Sequence, residues 1–320
     1  DQEEIPNAEE TYISAENGSD LTLTIDFNIQ SIVEKYLKQA CINLNAKKGG
    51  TCIAMNPKTG EILAISSRPN FSPSNYKKYS TEQINRNLPI WATYEPGSTF
   101  KIITLATALQ EQLVDLDKDT FDDGGSIHVE NARIKCWKAG GHGHQTFLQV
   151  VENSCNPGFV TLGQRIGKDK LFEYINKFGF GKKTGVDLNG ESSGILFSLD
   201  KVGPVELATT AFGQGVSVTP IQQITAVSAA INGGYLNKPY IVKSLNEPET
   251  NNVVKQNKKQ TVRKVIDNKT SKKVKYALES VVTNGTGRNA FIDGYRVGGK
   301  TGTAQKVQNG MYMVGNYIVS

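Results

Sequence analysis

Two periodicities divide this chain. Apolar residues alternate with a period of two near both ends, while helical spacing fills the middle. Leu21-Thr22-Leu23-Thr24-Ile25 reads as a short strand, and Asp26 is placed to cap a helix through Ile29, Ile32, Val33 and Leu37. Residues 51–66 predict a hairpin turning on Asn56-Pro57-Lys58-Thr59-Gly60. From Ile102 to Leu109 apolar residues cover most of the circumference, which predicts a buried helix. A second hairpin is expected over 121–137, turning near Asn131, followed by a glycine-rich joint at Gly140-Gly141-His142-Gly143-His144. Helical patterns then run over 146–151, 159–166, 171–178, 204–211, 220–231 and 271–282. Strands are expected within 238–266, from Val297 to Ala304, and from Tyr312 onward. Strands at both ends of a helical middle predict an α+β fold, an antiparallel sheet flanked by helices with an inserted helical subdomain.

Composition narrows the class. At 320 residues, with 38% hydrophobic and 21% charged positions, the chain has the make-up of an ordinary globular protein with a sizeable core. Its net charge of +5 is dispersed, with no basic block of the kind that marks nucleic-acid binding. No stretch approaches the ~20 consecutive apolar residues of a membrane span. Four cysteines, Cys41, Cys52, Cys136 and Cys155, show neither C-x-x-C nor a disulfide framework. Residues 1–20 are polar and read as a linker, leaving 21–320 as the folded domain. The opening reads as the interior of a longer protein, and the last strand as one that lacks a following partner strand and helix.

The chemistry starts at Tyr94-Glu95-Pro96-Gly97-Ser98-Thr99-Phe100-Lys101. Pro96 suits the first turn of a helix. Ser98 and Lys101 are three apart and share one face. A hydroxyl at a helix head with an amine one turn along is the layout of an activated nucleophile and its base. Burial disfavours an ammonium, so Lys101 on this helix is a base in waiting. Two further polar clusters follow, Ser154-Cys155-Asn156 and Lys300-Thr301-Gly302. Lys183-Thr184-Gly185 repeats the last pattern, but it follows Gly179-Phe180-Gly181 in a turn and reads as structural.

S-x-x-K, S-x-N and K-T-G in this order resemble the penicillin-binding proteins and serine β-lactamases. The resemblance extends through "P-K-T-G-E-I-L-A", "Y-E-P-G-S-T-F-K", "F-G-Q-G-V-S-V-T-P", "N-G-T-G" and "G-K-T-G-T-A-Q-K" to the transpeptidase domain of the class B, monofunctional members. The segment "C-W-K-A-G-G-H-G-H-Q-T-F" is most similar to the stage V sporulation branch. The resemblance implies that Ser98 attacks a D-alanyl-D-alanine carbonyl and that Lys101 takes its proton. Ser154 would relay a proton to the leaving amine, and Asn156 would hold Lys101 or the substrate amide. Lys300 and Thr301 would receive the terminal carboxylate beside Gly302, and the N–H groups of Ser98 and Thr303 would form the oxyanion hole.

A separate cluster carries metal-ligand chemistry. Cys136, His142 and His144 gather one thiolate and two imidazoles within nine positions, around a joint that two glycines can fold. Asp123, on the other arm of the expected hairpin, is the fourth-ligand candidate, with His128 behind it. These residue types suit a structural zinc; the acyl transfer itself calls for no cofactor.

The expected function is therefore a peptidoglycan D,D-transpeptidase that cross-links stem peptides and is blocked by β-lactams, in spore or division wall synthesis. The resemblance implies an N-terminal membrane helix, a place on the outer face of the cytoplasmic membrane, and a glycosyltransferase partner. A β-lactamase, a D,D-carboxypeptidase and a non-catalytic penicillin-binding sensor domain remain open. Glu173 is the one carboxylate that superficially offers a water-activating group to the first of these.

Overall fold

A computed structural model describes residue 15, residues 17–308 and residues 311–319, with 305–319 described by their backbone only. Most of the linker expected over 1–20 lies outside these residues. The described chain forms two compact units. In the smaller, Val242–Asn246 is the centre of a three-stranded antiparallel sheet between Asp20–Leu23 and Val253–Gln256. Residues 242–258 group with this smaller unit, and 24–241 with 259–320 form the larger one.

The larger unit holds the core. At its centre is the Lys101–Gln110 helix, in which every residue from Lys101 to Leu109 is buried, as the all-round apolar pattern requires. Against it lie Phe147, Val150, Phe159, Leu162, Leu171, Ile175, Ala208, Ala211 and Ala226, all with no exposed surface. Pro204–Ala211 and Pro220–Ile231 form as read. In the second, Thr219 caps the first turn through a reciprocal pair with Gln222, and Pro220 sits where its missing N–H costs nothing. Asn156–Ile166, Lys168–Lys177 and Asn268–Thr283 complete the helical layer around the core.

Strands in this unit occur as antiparallel pairs among the described residues. Gly50–Met55 pairs with Ile62–Arg68 as the expected first hairpin, and its turn is closed by Lys58 N donating to Asn56 Oδ1 at 3.0 Å. The second hairpin is narrower than expected. Ser126–Val129 pairs with Ala132–Lys135 around Glu130, while Thr120–Asp123 turns away and pairs with Gly143–Thr146. Period-two alternation marks a strand but does not choose its partner, so the arm carrying Asp123 was misassigned. The final strand, Met311–Val319, runs antiparallel to Thr303–Gln308. Lys300 and Thr301 therefore precede the strand instead of lying on it.

Candidate active site

Ser98 sits in a single 3-10 turn, Gly97–Thr99, that feeds the Lys101–Gln110 helix. Thr99 Oγ1 closes the turn by donating to Pro96 O at 2.8 Å. Gly97 has φ of 53°, and a Cβ built on it would lie 2.8 Å from Thr303 O. Only glycine tolerates both the conformation and the approach. The nucleophile turn and the start of the Thr303–Gln308 strand are thereby brought side by side.

Lys101 is 1% exposed. Its Nζ reaches Ser154 O at 2.8 Å, Ser154 Oγ at 3.2 Å and Asn156 Oδ1 at 2.7 Å. Ser154 adopts φ of 52°, a left-handed conformation rare outside glycine, which turns its carbonyl and hydroxyl together toward the amine. The two carbonyl oxygens can only accept, so two amine hydrogens are committed to them. A neutral amine then keeps one lone pair, available to a hydroxyl proton. Burial, and behind it the positive charge of Lys300, lowers Lys101 well below the ordinary lysine range, with a smaller opposing contribution from the Cys155 and Cys136 thiols. Phe159 packs under the amine, its ring centre 5.1 Å away.

Lys300 lies near enough for its charge to act on Lys101. The protein packed around it pushes its ammonium down to about 8. Its Nζ rests on Thr301 O at 2.9 Å, and Thr301 Oγ1 donates to Thr286 Oγ1 at 3.4 Å. Three motifs far apart in sequence thus share one site: Ser98 with Lys101, Ser154 with Asn156, and Lys300 with Thr301.

The neighbouring polar cluster differs from the expected one. Asp123, Cys136, His142 and Cys155 bring one ligand atom each within 4.8 Å of one another. His142 Nδ1 lies 2.9 Å from Asp123 Oδ2 and 3.3 Å from Cys136 Sγ, and Cys155 Sγ donates to Asp123 Oδ2 at 3.3 Å. Burial alone would raise the Asp123 carboxyl, but hydrogen bonds from Cys136, His142, Gly125 and Cys155 hold it well below the usual carboxylate range. Burial pushes both thiols up. Two sulfurs, an imidazole and a carboxylate, all converging, fit a tetrahedral zinc. His144 is not among them. It faces Asp122, Nδ1 to Oδ1 2.7 Å, with side chains 68% and 81% exposed. Gly143 at φ of 72° breaks the alternation, so His142 points inward and His144 outward.

The penicillin-binding protein transpeptidase domain matches residues 50–320. The chain belongs to that family. It is 58% identical over 316 residues to stage V sporulation protein D of Bacillus subtilis, covering 99% of this chain and 49% of that one. It is 34% identical to a peptidoglycan D,D-transpeptidase FtsI homolog of Mesostigma viride, covering 94% and 54%. The chain spans about half the length of these curated relatives. Among solved structures, penicillin binding protein 3 of Mycobacterium tuberculosis superposes with a TM-score of 0.87 at 30% identity, covering 97% of this chain and 69% of that one; it has also been solved with aztreonam. The α+β architecture is that of the penicillin-binding transpeptidases.

Within this transpeptidase domain the repeated Lys183-Thr184-Gly185 is a turn. Glu191 Oε1 accepts from both Thr184 N and Thr184 Oγ1 at 2.6 Å, and Glu191 Oε2 from Gly185 N at 3.0 Å. In sequence Cys155 is one of four cysteines without a spacing pattern, and only its place next to Ser154 could have marked it. Glu95 was missed altogether. Its Oε1 accepts from Gly215 N at 2.8 Å, which seats the Phe212-Gly213-Gln214-Gly215 loop on the nucleophile turn.

Proposed function

We propose that this chain performs the acyl transfer of a membrane-anchored peptidoglycan D,D-transpeptidase. Ser98 Oγ attacks the carbonyl of the penultimate D-alanine. Its proton passes to the Lys101 amine and, through Ser154, to the departing D-alanine nitrogen as the C–N bond breaks. The acyl-enzyme is then attacked by an acceptor amine, whose proton returns along the same path as Ser98 is released. Lys300 and Thr301 take the donor's carboxylate, with Gly302 leaving room for its backbone. The N–H groups of Ser98 and Thr303 stabilise the oxyanion, a contribution of about 3 kcal/mol per donor in related chemistry. The observation that carries this reading is the buried Lys101 amine held by Ser154 and Asn156.

The β-lactamase alternative loses its water-activating candidate. Glu173 is spent on the outer face of its helix, paired with Lys170 at 3.0 Å and Lys177 at 2.5 Å. Intact-mass spectrometry after penicillin treatment should find one lasting adduct on Ser98 and none on Ser98→Ala; rapid loss of the adduct to water would favour the hydrolytic alternatives. No helix among the described residues is long and apolar enough to cross a membrane, so the anchor, the outer face of the cytoplasmic membrane and the glycosyltransferase partner belong to this proposal, as does a role in spore wall synthesis.

The same reading includes a structural zinc on Asp123, Cys136, His142 and Cys155, with His144 replaced by Cys155. Bound there, the ion would supply no chemistry to the transfer. Its ligands would tie Thr120–Asp123 and the Lys135-Cys136 segment to the residue between Ser154 and Asn156. Elemental analysis should find about one zinc per chain, and chelation should lower the melting temperature, with recovery on adding zinc. Well under one metal per chain, with melting unmoved by chelator, would return the four residues to a hydrogen-bonded cluster.

A further inference from the structure

The segment 213–218 is zipped onto the nucleophile turn. Tyr94 N donates to Val218 O at 3.0 Å and Val218 N to Tyr94 O at 2.9 Å, while Gly97 N donates to Gly213 O at 2.9 Å. Between these rungs, one is supplied by a side chain, the Gly215 N–H on Glu95 Oε1 at 2.8 Å. The fit leaves little slack. Gly213 has φ of 87°, and a Cβ on it would lie 2.1 Å from Gly97 O. Gly215 has φ of 76°, and a Cβ there would lie 2.6 Å from the Phe197 ring. On its other side Gly97 meets Thr303 O, 2.8 Å from where its own Cβ would be. The peptide joining Gly97 to Ser98 is therefore gripped between two segments. That peptide carries the Ser98 N–H.

We propose that Glu95 is a positioning residue for the oxyanion-binding peptide, acting through the Gly213–Gly215 loop. The carboxylate fixes Gly215, Gly215 keeps Gly213 seated on Gly97, and the seated peptide sets the direction of the Ser98 N–H. Oxyanion donors contribute only when they are already aimed at the developing charge, and a misplacement of about 1 Å can cost about a hundredfold. This inference rests on the transpeptidase reading above and adds to it a residue that touches no substrate.

The test compares acylation of the intact protein by an ester donor and by its thionoester counterpart, whose sulfur is a poor acceptor for hole donors. Glu95→Ala should lose about tenfold or more in kcat on the ester with KM nearly unchanged, and much less on the thionoester. Glu95→Gln keeps an oxygen at the same reach and should stay within about threefold of the parent on both. Should Glu95→Ala fold poorly, Glu95→Asp, shorter by one methylene, should show the same ester-selective loss in milder form. Wild-type rates in the folded alanine variant, equal losses on both donors, or a Gln variant as impaired as Ala would overturn the inference. A parent protein that is not acylated at Ser98 would instead overturn the transpeptidase reading beneath it.

Discussion

Lys101 and Lys300 lie close enough for the charge of one to lower the other, and the proposed acyl transfer needs them in opposite states. Lys101 accepts a proton only when neutral, and burial followed by the charge of Lys300 makes the neutral amine available far below a lysine's ordinary range. Lys300 holds a carboxylate only when charged, and burial has brought it down to about 8. Acylation by a penicillin should therefore rise with pH as Lys101 loses its proton and fall above about pH 8 as Lys300 loses its own. Stopped-flow acylation across pH should show this bell. Lys300→Arg, which stays charged throughout, should keep the rising limb and lose the falling one. A falling limb that survives the substitution would assign it to another group. Lys183→Ala serves as the control and should leave the profile alone, since Glu191 holds the adjacent Thr184-Gly185 in a turn of its own. At this scale the sequence was legible wherever chemistry needs a residue type at a fixed helical spacing, as with Ser98 and Lys101. It was silent on Glu95, because a carboxylate that accepts from a backbone N–H 120 residues away leaves no local pattern.

Elements were legible in proportion to how locally they are determined. Pro204–Ala211 and Pro220–Ile231 begin on proline at the first helical position, and the second is closed by its own reciprocal cap, so both could be read to the residue. The pairing of Thr120–Asp123 with Gly143–Thr146 could not, because it depends on where Gly141 and Gly143 turn the chain. That pairing also decides the polar cluster, since it sets Asp123 opposite Gly143 and Asp122 opposite His144. The strand ends directly in the helix Phe147–Glu152, which leads to Ser154. Thr146 caps that helix, its Oγ1 accepting from Gln149 N at 3.3 Å while its own N–H donates to Gln149 Oε1 at 2.9 Å. Thr146→Ala should cost about 1 kcal/mol, lowering the melting temperature by about 2–4 °C. Thr146→Ser should restore it, and equal melting of the two variants would show that the cap hydroxyl contributes nothing.

Across the larger unit, the site depends on segments that meet only when the chain is folded, and one turn joins two of them. Thr286 N donates to Glu152 O at 3.0 Å, two residues before Ser154, and Thr286 Oγ1 donates to the same carbonyl at 3.2 Å. Thr301 Oγ1 in turn donates to Thr286 Oγ1. The Glu152 carboxylate accepts from Ser280, which fastens the same place to the Asn268–Thr283 helix. Gly285 sits at this junction. A Cβ on it would lie 2.5 Å from Glu152 O and 2.8 Å from Glu152 Cα, and backbone cannot swing aside as a side chain can. Gly285→Ala must therefore push the 284–287 turn away from Glu152, loosening Thr301 and the approach to Ser154 together. Acylation should fall about tenfold or more, about 1.4 kcal/mol of barrier, alongside a lower melting temperature. Gly294→Ala is the matched control: its φ of 77° strains an alanine, but nothing lies within 4 Å of the added carbon, so it should lose some stability and no acylation rate. Combined with Thr301→Val, which removes the hydroxyl that bonds Thr286, Gly285→Ala should cost less than the sum of the two single losses, because both act on the same hydroxyl. Strict additivity would mean that the turn and the carboxylate site are held independently.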